Sequence, residues 1–523
     1  MSRMKIVATI GPRTDDEASV LGLVEAGMDV ARLNGSHADL AWHAATIALL
    51  RRVAPSVPIL FDAPGRKIRT RQLAVEPSFA VGDELVLTTG EGDGRDGRVG
   101  VTSDTLHELL FGGERILADD GCLRFTVLRV EGPDVICRAE IAGTLRSAKG
   151  INVPTLNLSV DELTERDQQV LDFAREQAVD YVGISFVDGK DLIDRVRARL
   201  GAGGPRVVAK VESGKGMARL EEIIKAADAV MIDRGDLSVE TNLEGIALAQ
   251  KHIVSAATRL GKPVIIATEM LNSMIDNSVP TKAEVTDISN AILDGASALM
   301  LSGETAIGKF PIQAVETMRR IAEVVTETVV PPAPPTSDDE TLTVPRAMGE
   351  AVALVSRMLP VTKIVAITRS GYAARVVANY RPRQEILVVT DDPATARTAN
   401  LLFGCRGVAV QIPFLRRSTD HIAACLEELW LRGLLLASDI VLVTSVGYPH
   451  SGRRMNLIQT HSVADLRETL GWAEPRGSAQ ASAEGAGTTA ERDNVHLHGF
   501  RRSGSVPNLS SPEATRALRS SGS

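Results

Sequence analysis

Lys210 and Glu212 stand two residues apart at the far end of Arg206–Val211. In that run Val207, Val208, Ala209 and Val211 are the residues a parallel sheet buries on both faces. Side chains two apart in an extended strand project to the same side, so an ammonium and a carboxylate share one edge. Ala229–Ile232 is a second buried strand, running into Asp233-Arg234-Gly235-Asp236. Glu212 and Asp236 are hard oxygen ligands suited to Mg2+ or Mn2+. Lys210 adds a point charge beside that metal, and the backbone N–H groups of Gly235 and Asp236 suit an anion if a helix begins there. A cation, a metal and an amide pocket together fit a substrate carrying carboxylate and phosphate. On these residues alone a structural Lys210–Glu212 ion pair stays equally open.

Positioning such groups is the work of α/β units. Lys5–Ile10, Val30–Asn34 and Pro58–Ala63 read as strands, with helical stretches between them. Arg32, Asn34, Ser36 and His37 crowd the end of the second, and Asp62 ends the third. From about Thr70 to Lys149 the helical period is lost. Val81–Thr88, Arg115–Leu117, Leu123–Val130 and Val135–Ile141 read as short strands of an inserted β lid, 70–149. The rhythm resumes with Tyr181–Phe186, Arg206–Val211, Ala229–Asp233, Pro263–Thr268 and Ala298–Ser302, the last two ending in Thr268-Glu269 and Ser302-Gly303-Glu304. Eight strands with polar ends predict a (β/α)8 TIM barrel over 1–69 and 150–330, whose chemistry lies at the C-terminal strand ends. A Pro-rich, acidic linker (331–345) leads to a C-terminal α/β domain (346–473) with strands at Lys363–Thr368, Ile386–Thr390, Gly407–Gln411 and Ile440–Thr444. The Ala-, Gly- and Ser-rich remainder, 474–523, is expected to be disordered. Within it Arg501–Pro507 reads either as a phosphorylation-dependent docking segment or as a plain basic tail.

Composition narrows the function classes. The 523 residues are 44% hydrophobic and 24% charged, with a net charge of −8, which gives no electrostatic footprint for nucleic acid. Cys122, Cys137, Cys405 and Cys425 have no CxxC spacing and suit a reducing compartment. No apolar run is long enough to span a bilayer, and Met1–Ile10 enters a strand directly, so a cytoplasmic protein with no membrane partner is expected.

From about Met4 to Val463 the chain resembles the pyruvate kinase family, through VARLNGSH (30–37), AKGINVP (148–154), AKVES (209–213), MIDRGDLSVE (231–240), IATEMLNSM (266–274), PTKAEVTDISNAILDGASALMLSGETA (280–306) and YRPR (380–383). The resemblance implies phosphoryl transfer from phosphoenolpyruvate to ADP, giving pyruvate and ATP, in a homotetramer. It places Lys210 beside the transferring phosphoryl, Glu212 and Asp236 on Mg2+, Arg32 on the phosphate, and the Gly235 and Asp236 backbone on the carboxylate. Thr268 falls on the path that protonates the enolate, with Ser302 and Glu304. Asn34, His37, Arg69 and Lys149 match nucleotide-binding positions.

The chain also departs from that pattern. Asn34, Ser36 and Asp62 match ligands of a monovalent cation, usually K+, but the hydroxyl position is Ala63 and an acidic position is Lys67. A fixed ammonium in place of K+ implies a potassium-independent enzyme; a unit charge at about 4 Å is worth about 4 kcal/mol at an effective dielectric of about 20. Ala148 stands where the family often has Lys, which bears on nucleotide preference. In the C-terminal domain, Thr368–Tyr372 and Gly447–Asn456, with Arg453-Arg454, match loops that bind a phosphorylated effector; a solvated arginine pair fits them equally. Two other readings compete. A barrel lyase or aldolase handling pyruvate enolates has no need of a nucleotide lid, and an inactive sensor has no need of the Lys210, Glu212, Asp236 and Thr268 set.

Overall fold

Strands that are apolar on both faces leave no face for water, and closing them into a barrel removes the edges as well. The computed structural model describes residues 3–63, 65, 68–119, 121–153, 163, 165–240, 243–328, 343–414, 419–446 and 455–475. Its centre is a closed, parallel, eight-stranded barrel. The strands are β1 (Lys5–Thr9), β2 (Val30–Asn34), β3 (Ile59–Asp62), β4 (Tyr181–Ile184), β5 (Arg206–Val211), β6 (Ala229–Asp233), β7 (Val264–Ala267) and β8 (Ala298–Leu301). Each pairs with its sequence neighbours, and β1 closes on β8 through Lys5–Ala298 and Ala8–Leu301. The connecting helices are sharply bounded. Asp16 caps Glu17–Ala26 and Gly27 ends it in the left-handed region, while Thr281 and Glu284 form a reciprocal capping box on Lys282–Asp294.

Between β3 and the helix Glu165–Glu176, a seven-stranded sheet folds around its own core of Leu85, Leu87, Phe125, Val135 and Cys137. A Thr70–Val101 bridge joins its two edges. The C-terminal sheet comprises β9 (Lys363–Ile367), β10 (Glu385–Thr390), β11 (Cys405–Ala409), β12 (Ile440–Ser445) and β13 (Leu457–Ser462), in the order β11-β10-β9-β12-β13. Four strands are parallel; β13, absent from the sequence reading, is antiparallel to β12. β11 begins two residues earlier than its apolar pattern predicts, because pairing with β10 sets its register.

The C-terminal domain also packs against the barrel floor. Leu401 belongs to the cluster formed by the inward-facing Val7, Val30, Leu60, Val208 and Met231. Tyr181 Oη donates to Thr398 O at 2.7 Å, and Arg397 Nε donates to Asp180 Oδ1 at 2.7 Å. Among the described residues no helix is long and apolar enough to cross a membrane. Most of the linker 331–345, all but the first two residues of 474–523, Lys67, and 447–454 with Arg453 and Arg454 lie outside the described residues.

Candidate active site

Inward and outward residues alternate along a barrel strand, so one inward core residue identifies the next. Val208 and Met231 face the interior cluster. Lys210 and Glu212, two and four residues on, and Asp233, two residues on, fall on that same face. The same parity leads from Val7 to Thr9, from Val30 to Arg32 and Asn34, from Leu60 to Asp62, and from Tyr181 through Gly183 to Ser185. A Cβ at Gly183 would lie 2.6 Å from Asp62 Oδ1, so glycine there leaves the carboxylate its room. The C-terminal mouth is therefore polar by geometry.

At its centre Lys210 Nζ lies 2.8 Å from Glu212 Oε1, 3.5 Å from Asp233 Oδ2 and 3.6 Å from Asp62 Oδ2, and donates to Ser185 Oγ at 3.1 Å. Burial alone would lower the Lys210 pKa, but the carboxylates of Asp62, Glu212 and Asp233 outweigh it and hold the ammonium well above the usual lysine range. Glu212 is fully buried, and burial is the largest cause of its raised pKa; Lys210 pulls it back while Asp236 and Asp233 push it up. Its Oε2 accepts the Phe186 N–H at 2.7 Å. Asp62 moves the opposite way, because Lys210 and Arg32 overrule the effect of burial. Arg32 donates to Asp62 Oδ2 from Nε (3.1 Å) and Nη2 (2.6 Å), and to Thr9 Oγ1 from Nη1 (3.1 Å).

The helix Arg234–Glu240 begins directly after β6. Gly235 N–H donates to Thr268 Oγ1 at 3.0 Å, and that hydroxyl donates to Ala267 O at 2.7 Å. Thr268 and Glu269 have φ of +67° and +56°, a conformation that is costly for a β-branched residue and recurs at functional sites. Arg234 holds it there, donating to Thr268 O at 2.7 Å while its other nitrogen pairs with Asp287. Ser302 and Glu304 follow β8. Both oxygens of the buried Glu304 accept backbone N–H groups, from Leu271 at 3.0 Å and Ser302 at 2.7 Å, so it ties the β7 and β8 loops together.

The nucleotide candidates spread from the mouth to the lid. Burial lowers the His37 pKa first, with Arg69 and Arg32 adding to it. Arg69 donates to Ala148 O at 3.1 Å, and Lys149 pairs with Asp119 at 2.7 Å. Of the monovalent-cation candidates, Asn34 Oδ1 accepts the Ser36 N–H at 3.1 Å and Asp62 Oδ2 takes Arg32, while the buried Asp62 Oδ1 has no hydrogen-bond partner among the described residues. Lys67, the expected replacement charge, lies outside the described residues.

The family model for the barrel domain of pyruvate kinase matches residues 1–315, and the model for its alpha/beta domain matches 346–461. The chain belongs to the pyruvate kinase family. It is 38% identical to pyruvate kinase 2 of Synechocystis over 85% of this chain and 76% of the relative. It is 37% identical to the Mycobacterium intracellulare pyruvate kinase over 88% and 99%, and 35% identical to that of Bacillus licheniformis over 89% and 81%. Pyruvate kinases are phosphotransferases that need a divalent metal, and the mouth has a donor set that fits one. Carboxylate oxygens of Glu212, Asp233 and Asp236, all buried, lie within 4.8 Å of one another. Hard, crowded oxygen donors suit Mg2+ or Mn2+. Sequence reasoning selected Glu212 and Asp236 from this set and passed over Asp233, Ser185 and Arg234. Strand parity carried on from Met231 was the available signal for Asp233.

Proposed function

We propose that the chain transfers the phosphoryl group of phosphoenolpyruvate to ADP, forming pyruvate and ATP, with Mg2+ or Mn2+ as the divalent cofactor. The observation that carries this reading is the buried Lys210 ammonium, fixed among three carboxylates at the barrel mouth. Phosphoryl transfer asks for positioned positive charge more than for a covalent group. The bond from phosphorus to the enol oxygen breaks as a β-phosphate oxygen of ADP attacks, and the enolate then takes a proton at its terminal carbon. Lys210 offsets charge on the transferring group. Arg32 has three of its five N–H donors committed to Asp62 and Thr9, and the others serve the phosphate. The substrate carboxylate takes the amides of Gly235 and Asp236, displacing Thr268 Oγ1 from Gly235 N–H. That exchange releases the Thr268 hydroxyl for the proton path, which Ser302 joins; Glu304 ties the two loops together. Glu212 and Asp236 would hold the divalent cation, which supplies Lewis-acid stabilisation to the phosphoryl and enolate oxygens. Asn34, His37, Arg69 and Lys149 take the nucleotide, for which Lys149 exchanges Asp119.

Potassium independence is part of the proposal. Its support is that Asp62 Oδ2 is matched by Arg32 and Lys210, Asn34 Oδ1 accepts the Ser36 N–H, and Ala63 has no hydroxyl. The role of Lys67 rests on sequence alone. A cytoplasmic homotetramer with a phosphorylated effector on the C-terminal domain is the assembly that the family likeness supports. The test is a coupled assay of ADP-dependent pyruvate formation with Mg2+, in sodium- and potassium-free buffer and again with KCl at constant ionic strength. Equal turnover in both is expected. A many-fold rise with KCl discards potassium independence, and no turnover from folded protein in either discards the kinase reading.

A further inference from the structure

We infer that Asp233 is a third carboxylate ligand of the divalent cation, so that this chain binds the cation tightly before either substrate arrives. The inference rests on the phosphoryl-transfer reading only for the existence of a divalent cation at the mouth.

Placement is the first support. Asp233 ends β6 on the inward parity of Met231, and its oxygens lie with those of Glu212 and Asp236 within a span of 4.8 Å. Oxygens about 2.1 Å from one small cation lie at most about 4.2 Å apart, so a small inward shift brings all three carboxylates onto it. Mg2+ is usually held by one or two carboxylates, with water and substrate oxygens completing its shell. A third carboxylate replaces one of those waters before substrate is present.

Charge is the second support. Four buried carboxylates, Asp62, Glu212, Asp233 and Asp236, meet two buried cations, Lys210 and Arg32. One ammonium is shared among three acids. The fully buried Glu212 Oε1 has no hydrogen bond of sound geometry, although Lys210 Nζ stands 2.8 Å away. Among the described residues the pocket thus holds more carboxylates than cations, and a divalent cation supplies positive charge where Glu212, Asp233 and Asp236 converge. Asp233 Oδ2 faces Lys210 at 3.5 Å, longer than a close ion pair, which leaves the carboxylate turned toward both the ammonium and the other acids.

The test is direct Mn2+ binding to the full-length enzyme, followed by electron paramagnetic resonance and water-proton relaxation, with neither phosphoenolpyruvate nor nucleotide present. Asp233→Ala and Asp233→Asn are expected to weaken Mn2+ binding at least tenfold and to raise the number of fast-exchanging waters on the bound ion by one, while Asp233→Glu recovers part of the affinity. Glu212→Gln serves as the reference loss. Wild-type affinity in the Ala and Asn variants, with Glu212→Gln impaired, would overturn the inference and leave Asp233 as a counter-charge for Lys210. Mn2+ binding insensitive to all of these variants, or no binding by the wild type, would overturn it too. Because no substrate is used, none of these results depends on turnover, and the coupled assay separately decides the kinase reading.

Discussion

At the floor of the barrel one arrangement repeats four times, and at the mouth nothing repeats. Asp29, Asp180, Asp228 and Ser297 each stand immediately before an even-numbered strand, and each side chain accepts a backbone N–H of the preceding strand, from Ile6, Ile59, Val207 and Val264. Each returns its own N–H to the carbonyl of that same residue. The three aspartates are also matched by cations: Lys5 and Arg319 on Asp29, Arg51 and Arg397 on Asp180, Arg197 on Asp228. Each of these aspartates has a cationic partner and an amide, the arrangement that makes its burial affordable. The mouth instead, among the described residues, brings the buried carboxylates of Asp62, Glu212, Asp233 and Asp236 together with only Lys210 and Arg32 as buried cations. One barrel therefore carries an end whose paired aspartates serve stability and an end crowded with carboxylates, which the proposed cation would complete.

The largest effect that tests this division is at Lys210. Lys210→Met removes the ammonium at the transferring phosphoryl and is expected to lower kcat by about a thousandfold or more, with far-UV circular dichroism unchanged. A kcat within tenfold of wild type would break the assignment of the mouth as catalytic.

The matching change at the floor is Asp180→Ala. It strands Arg51, Arg397 and the Ile59 N–H, and it cuts a tie between barrel and C-terminal domain. Both arginines are about a quarter exposed, so water offsets part of the loss. A destabilisation of about 3 kcal/mol is expected in denaturant unfolding, at the low end for a broken buried pair. The folded variant should keep the wild-type kcat and KM. If kcat falls tenfold with the fold intact, the two ends are coupled and the division fails.

How much of this was legible depends on what each feature needs. All eight barrel strands lie within two residues of the sequence reading, because a strand buried on both faces announces itself by composition and its C-terminal end lies within two residues of a polar group. Lys210 and Glu212 were legible as neighbours on one edge from spacing alone. Pieces too short for any period, such as Ile68–Arg69 and Gly150–Asn152, were not, nor was the half-buried Leu457–Ser462. Leu401 in the barrel floor is a tertiary fact with no local mark. The family resemblance puts Glu304 on the proton path with Thr268 and Ser302; only the folded loops show both its oxygens committed to amides. Asp233 was legible in principle, by parity from an inward Met231, but only once a strand's inner face was known.

The smallest effect is also the most discriminating, because it turns on sign. Burial raises the Glu212 pKa above its ordinary 4.5, so the metal-free folded state holds that proton where the unfolded chain has released it. Stability in chelator should therefore fall as pH rises above 4.5 toward the raised value, by at most about 1.4 kcal/mol per pH unit. Asp62 runs the other way: its pKa is depressed below 3.8, so its contribution is present above that value and lost as pH falls through the depressed one. The two windows do not overlap. Thermal unfolding in chelator between pH 5 and 8 covers the Glu212 window, where the lowered pKa values of His37, His43 and His461 act with the opposite sign, so the readout is the part of the slope that Glu212→Gln removes. Added Mg2+ at pH 8 should restore the lost stability in wild type and in Asp180→Ala alike, but not in Glu212→Gln. Wild-type and Glu212→Gln profiles that coincide in chelator would mean that the mouth is satisfied without its cation, and the contrast between the two ends of the barrel would then reduce to one of shape.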